Sequence, residues 1–273
     1  MIKLIIDFDN SINIKGCDMD DAFALFLLIS SPEVEIELVS TTHGNSDEFS
    51  IYKSTLNMFD ELGLCYELAK GGYYYKDAAK RICEIVNTKD DINILTLGAT
   101  TNIRKALDYG MDASRVKSLT MMGGITSELK FKSQVMDELN LSVDYLSTIE
   151  VLKAIDNINI ITGNNCMPHR YKIDEKTEFK SVYLNYIKEH LLRWLVDNKI
   201  RYDEDETVVW DAIAALYLIR PELFDNKDKN IRLGKNLIKG YLEEGSDKKI
   251  NLPEIKSGVE VMNTIIDIIE KRR

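Results

Sequence analysis

Short runs rich in branched aliphatic residues, at 3–6, 34–40, 92–97, 116–121 and 158–161, alternate along the chain with stretches of helical spacing at 20–29, 47–62, 76–86 and 101–107. Strands separated in this way are joined by crossovers rather than tight turns, which predicts a mostly parallel sheet covered on both faces. Further helical patterns at 145–153, 177–198, 207–219 and 259–271 make the second half helix-rich. No linker or internal repeat divides the 273 residues, and 45% of them are hydrophobic, enough to bury one large core. The expected architecture is an α/β single domain over 1–273, built on a mostly parallel central sheet flanked by helices.

Where the first strand hands over to the first helix, five aspartates fall between positions 7 and 21: Asp7, Asp9, Asp18, Asp20 and Asp21. In an open α/β sheet, ligands bind outside the carboxyl ends of the strands, so this loop stands where a site is expected. One or two acids cap a helix and complement its positive end. Five exceed that need. Left unpaired they repel one another, and a hard cation taking oxygen ligands, Ca²⁺ or Mg²⁺, would resolve the conflict. An EF-hand is excluded, because counting from Asp7 puts Ile12 where that loop requires glycine.

A net charge of −10 and a pI near 5.0 argue against nucleic acid or an anionic membrane surface as the main partner, and favour a small molecule. The cysteines, Cys17, Cys65, Cys83 and Cys166, include no CxxC pair and read as reduced, mostly buried thiols. The first ten residues turn acidic too early for a signal peptide and no apolar run reaches spanning length, so a cytoplasmic location is expected.

The other strand ends carry TTHGN at 41–45, LGATTN from Leu97, MMGG at 121–124 and DELN at 137–140, all expected on one edge of the sheet. Late in the chain Trp210 and Asp211 open an apolar helix, where Asp211 is either a helix-terminal acid or a ligand brought to the acidic loop. The three histidines, His43, His169 and His190, lack a metal-like partner at helical spacing, and no GxSxG, P-loop or GxGxxG segment is present. Carboxylates and amides remain as working groups. Such a set binds a cation, activates a water and holds a polyhydroxylated substrate, as hydrolysis of a sugar-like molecule requires.

These residues resemble the calcium-dependent nucleoside hydrolases, the inosine/uridine-preferring family. That family's DxDxGxDD signature is similar to DFD followed by GCDMDDAFAL, with NSINIK at 10–15 inserted. TTHGN resembles its TT-x-GN, LGATTN its GPLTN, MMGG its MGG, DELNLSVD its EFN-x-x-x-D, and VWDAIAALYLIRPELF its late Asp-to-Pro segment. The order is kept over nearly the whole chain. The resemblance implies a Rossmann-like core, hydrolysis of a ribonucleoside to ribose and free base, and a homodimer or homotetramer. It implies that Asp9, Asp21, Asp211 and the Leu97 carbonyl hold Ca²⁺, with Asp9 also general base for the water. Asp20 would hold the 2′-hydroxyl, while Asn45, Glu138 and Asn140 grip the remaining ribose hydroxyls.

Two departures bear on the leaving base. Trp210 stands where some members place a histidine acid, which favours stacking on a purine-like base. A shortened segment after the third strand leaves Tyr73, Tyr74 and Tyr75 either lining an open entrance, suited to a modified base such as the 7-deazapurine of queuosine, or packed as an aromatic turn. Two rivals stay open: a haloacid-dehalogenase-type phosphatase using Asp7 as nucleophile, Asp9 as acid/base and Mg²⁺, for which no later acidic pair is found, and a nucleoside-binding protein without turnover.

Overall fold

The computed structural model describes residues 1–271. Among them, eight strands form the central sheet: β1 (Ile2–Phe8), β2 (Val34–Thr41), β3 (Leu68–Lys70), β4 (Ile92–Thr96), β5 (Val116–Met122), β6 (Ile158–Ile161), β7 (Asp228–Ile231) and β8 (Lys248–Asn251). Their spatial order is β7-β8-β6-β5-β4-β1-β2-β3. All neighbours run parallel except the edge pair β7 and β8, which is antiparallel. The chain winds outward from β1 through β2 to β3, then returns to β4 on the other side of β1. That reversal makes the gap between the ends of β1 and β4 the switch point, where an open sheet has its crevice.

Side chains along β1 show why the sheet is covered twice. Leu4, Ile6 and Phe8 enter one core and Ile5 the other, following the two-residue period of a strand. The first core is completed by α1 (Asp20–Ile29), α2 (Glu48–Leu62), α6 (Val182–Tyr202), α7 (Trp210–Ile219) and α8 (Val261–Glu270); the second by α3 (Asp77–Thr88), α4 (Thr101–Asp108) and α5 (Tyr145–Ala154). Every residue of α1 is buried, as its near-continuous apolar sequence requires. α1 and α7 pack closely side by side, which brings Asp211 to the acidic loop across a large sequence separation.

The predicted elements hold with end shifts, and three differences have physical causes. β3, β7 and β8 were not expected: β3 and β7 are the edge strands and β8 lies just inside β7, each is short, and in β7 three of four residues face solvent, so no apolar run marks them. The second half is consequently less purely helical than its periodicity implies. The helix expected at 177–198 begins only after Ser181 and continues to Tyr202, where Asp203 adopts a left-handed conformation (φ 56°) that ends it. At 207–219, Thr207–Val208 pairs with Arg170–Tyr171 as a short strand, and the helix starts at Trp210. No helix among the described residues is long and apolar enough to cross a membrane. The four cysteines are free, with Cys83 and Cys166 buried, Cys17 half-buried and Cys65 exposed.

Candidate active site

Asp9 follows β1 immediately and points into the switch-point crevice. Glycines on both sides make room for it: a Cβ at Gly44 would strike its carboxylate, and one at Gly98 would lie 3.1 Å from its Cγ. Its Oδ2 accepts a 2.6 Å hydrogen bond from the Asn45 amide, and the Asp9 amide donates to Asp21 Oδ1 at 3.3 Å. Asp20 and Asp21 occupy the first turn of α1, whose N-cap is Met19 without a side-chain bond, so neither Asp18 nor Asp20 caps this helix. Asp20 Oδ2 instead accepts from the Asp211 amide at the start of α7 (3.2 Å). Asp9 and Asp21 are thus tied to each other, Asp20 is tied to the start of α7 at Asp211, and the charges of the four act on one another.

All four are buried, Asp21 completely, and burial raises the pKa of each; the charges of their neighbours push in the same direction. Asp9 is held at about 7, and Asp20, Asp21 and Asp211 lie well above the ordinary carboxylate range. Two oxygens, Asp9 Oδ1 and Asp21 Oδ2, have no hydrogen-bond partner. Buried carboxylate oxygens without donors, crowded by like charges, are the donor set of a hard cation, and the residues fit one.

Asp18 belongs to this cluster although only its role as one acid among five was foreseen. One carboxylate oxygen from each of Asp18, Asp20 and Asp21 lies within 4.8 Å of the others, and Asn45 Nδ2 donates to Asp18 Oδ1 (3.3 Å). On the far wall, Asn140 Nδ2 donates to the carbonyls of Leu97 and Met122, both at 3.2 Å, tying the loop after β5 to the end of β4. Glu138 lines the same cavity, accepts from the Leu141 amide (3.0 Å), and is pushed up to about 7 by burial. Asp7 lies behind the crevice. It is fully buried, accepts from Ser40 Oγ (2.6 Å) and Asn102 Nδ2 (2.8 Å), and does not line the cavity, so the nucleophile of a phosphatase reading is out of reach.

The cavity measures about 570 Å³, within the usual range for small ligands. Its inner end carries the acids and amides, and its mouth is aromatic: Phe131, Trp194, Tyr202 and Trp210 line it together with Asn198 and Arg201. Phe131 stacks on Tyr202 with ring centroids 5.3 Å apart and meets Trp210 edge-on at 6.3 Å. Of these, only Trp210 was singled out in the sequence. Trp194, Asn198, Arg201 and Tyr202 share one face of α6, a spacing that becomes readable only once the helix is known to reach Tyr202. Tyr73, Tyr74 and Tyr75 do not line the cavity. The turn they form is held by its backbone: Lys105 Nζ binds three carbonyls of this segment and Glu48 accepts from the amides of Tyr73 and Tyr74, while Tyr75 packs under Lys70 and the Tyr73 and Tyr74 rings stay largely exposed. Most of the inserted residues at 10–15 pack away from the acids, with Ile12 in the core, Asn10 on Thr55, and Asn13 on Ser54 and Tyr186, while Ser11 Oγ donates to the Asp18 carbonyl (3.3 Å).

A parallel sheet whose switch point gathers buried carboxylates beneath an aromatic mouth defines an enzyme that handles a polar, ring-bearing small molecule beside a hard cation. The inosine-uridine preferring nucleoside hydrolase profile matches residues 72–251, and the chain belongs to that family of N-ribosyl hydrolases. Solved structures agree on the fold. A purine-preferring ribonucleoside hydrolase from Gardnerella vaginalis superposes with a TM-score of 0.82 at 15% identity, covering 98% of both chains. A plant nucleoside hydrolase gives 0.80 at 18%, also over 98% of both, and an inosine-uridine preferring nucleoside hydrolase from Bacillus anthracis gives 0.78 at 16%, over 99% of this chain and 100% of that one. A Schizosaccharomyces pombe protein described as uncharacterized is 24% identical over 272 residues, 85% of this chain and 84% of its own.

Proposed function

We propose that the protein cleaves ribonucleosides carrying a purine-like base, including modified 7-deazapurines such as queuosine, and that Ca²⁺ is its metal. The observation carrying this reading is the gathering of Asp9 and Asp21, each with an orphaned oxygen, beside Asp20 and Asp211 in a crevice whose mouth is lined by stacked aromatic rings. Asp9, Asp21, Asp211 and the Leu97 carbonyl would hold the ion. A site rich in protein oxygens suits Ca²⁺ better than Mg²⁺, which keeps most of its waters. When bound, the cation supplies Lewis acidity that sharpens a water for attack and anchors ribose hydroxyls.

The remaining chemistry falls to side chains. Asp9 Oδ1 takes the proton of the attacking water; its Oδ2 stays locked on the Asn45 amide, so the carboxylate holds its orientation while it works. Asp20 accepts from the 2′-hydroxyl, and Asn45, Glu138 and Asn140 grip the other ribose hydroxyls. Their negative charge and amide dipoles favour the positive ribosyl centre that develops as the N-glycosidic bond breaks. Trp210 stacks on the base. The wide aromatic mouth, with no histidine among the cavity's lining residues, favours a fused-ring base over a pyrimidine. We place the protein in the cytoplasm as a homodimer or homotetramer acting on free nucleosides, without nucleic-acid or membrane partners. The test is a panel of inosine, guanosine, adenosine, queuosine, uridine and cytidine, assayed for free base with chelator and after adding back Ca²⁺ or Mg²⁺. Release of purine-like bases that returns with Ca²⁺ is expected. Faster turnover of uridine than of every purine and deazapurine nucleoside would overturn the base preference, and full activity in chelator would overturn the metal.

A further inference from the structure

The reaction leaves one charge unaccounted for. As the N-glycosidic bond breaks, its electron pair passes to the base, yet the position before Asp211 holds tryptophan and none of the cavity's lining residues is histidine or lysine. Arg201 is the sole cation among the lining residues. Among the described residues its guanidinium has no carboxylate within salt-bridge distance, whereas other arginines of this chain are paired, such as Arg81 with Glu67 and Arg220 with Glu33. It sits at the aromatic mouth, 6.0 Å over the Trp194 ring and 5.9 Å over the Tyr202 ring, which orients its donors without using them.

How the chain brings it there also explains the inserted residues. Asn13 donates to the Tyr186 hydroxyl, and Ile12 joins Ile187 and Leu191 in one core, so α6 is seated on the insertion. The insertion then ends at Gly16, with φ 76°; a Cβ there would come within 2.8 Å of Arg201 Nη2. An open backbone at Gly16 thus leaves the guanidinium its place between the acidic loop and the aromatic wall. We propose that Arg201 supports the leaving base, donating hydrogen bonds from its fork to the electron-rich ring-nitrogen and keto edge of a purine as negative charge builds there. This rests on the ribonucleoside hydrolysis proposed above. Water oxygen bonds to C1′ as the C1′–N bond breaks, Asp9 takes the water's proton, and the electron pair leaves with the base as an anion paired to the guanidinium. The base then takes a proton from solvent and Asp9 returns its own, so the sum is ribose and neutral base. A guanidinium suits this task because it offers several donors in one plane and is not itself consumed as an acid.

The test compares inosine and guanosine with 4-nitrophenyl β-D-ribofuranoside, whose leaving group departs without such help. Arg201→Ala should lower kcat on the two purine nucleosides by about 100-fold, the range seen when one donor to a developing anion is removed. The same variant should keep the nitrophenyl riboside rate within about threefold, since that rate reads the ribosyl half alone. Arg201→Lys should recover part of the lost kcat, and guanidinium ion added to Arg201→Ala should recover more than the same concentration of sodium. Equal losses on both kinds of substrate, or no loss on inosine and guanosine, would overturn the role of Arg201 while leaving the hydrolase reading intact. A wild-type protein inert towards the nitrophenyl riboside as well as the nucleosides would overturn both.

Discussion

The two ends of the cavity are built by different means. At the inner end, polar side chains are tied to backbone: Asp9 to the Asn45 amide, Asp20 to the Asp211 amide, Asn140 to the carbonyls of Leu97 and Met122. At the mouth, rings stack on rings and Arg201 lies over aromatic faces. Directional bonds to rigid strand ends hold atoms to a fraction of an ångström, which positioning a reacting ribose demands. Stacking tolerates sliding, and a surface of this kind accepts bases of differing outline. The comparison teaches that the ribose half of the reaction is invariant in its requirements, and that specificity is left to the half where adjustment is cheap.

The largest effect is expected from breaking the rigid end at its centre. Asp9→Asn should lower kcat on any nucleoside by at least about a thousandfold, because it removes a general base along with a charge that attracts the cation. Yet in chelator the variant should melt no lower than the wild type: the substitution takes one negative charge out of a crowd that raises the pKa of every member. Steady-state kinetics and a metal-free thermal melt check both halves, and a strongly lowered melt would mean that Asp9 is structural rather than functional.

A smaller effect sharpens the electrostatic side. Burial holds the Glu138 carboxyl at about 7, against 4.5 ordinarily, so between those values the folded state keeps a proton that the unfolded chain releases. Its contribution is full below about 4.5 and is lost as pH rises through about 7, amounting to about 3 kcal/mol over that window. Urea unfolding of the chelated protein should therefore show stability falling with rising pH, and Glu138→Gln, which cannot ionise, should flatten that part of the slope. At the other end, Trp210→Ala should raise KM for purine nucleosides about tenfold, the scale of one base-on-aromatic contact, with less change for uridine. Equal changes for both would show that Trp210 supports the ribose and not the base.

What the amino-acid order disclosed follows the same division. The inner end was legible because its chemistry demands particular residue types at the ends of apolar runs: Asp9 follows the run that marks β1, Asp20 and Asp21 open the one that marks α1, and Asp211 stands at the start of the one that marks α7. The mouth was hidden by an element boundary. Ending the long helix at 198 left Arg201 and Tyr202 in a loop, when α6 in fact runs to Tyr202 and turns both into the cavity. Nothing in a polar stretch such as DNKIRYDED distinguishes a last helical turn from a loop; the difference is made by packing, here Tyr202 against Phe131 from a loop some seventy residues earlier. β7 and β8 escaped for a related reason, because their pairing is carried by backbone bonds between mostly polar residues.

The smallest effect tests the aromatic segment that sequence alone left undecided. Three consecutive tyrosines near a strand end invite assignment to the substrate entrance, but their surroundings say otherwise: Tyr75 lies under Lys70, Tyr73 packs against His43 at 4.4 Å between ring centroids, and Tyr74 is 87% exposed with no side-chain partner among the described residues. A side chain that touches neither the cavity nor the core has nothing to lose on truncation. Tyr74→Ala should leave kcat and KM for inosine and guanosine within about twofold and stability within about 0.5 kcal/mol. A tenfold rise in KM would instead extend the aromatic mouth across β2 and β3, and base recognition would then be shared between α6 and the opposite side of the sheet.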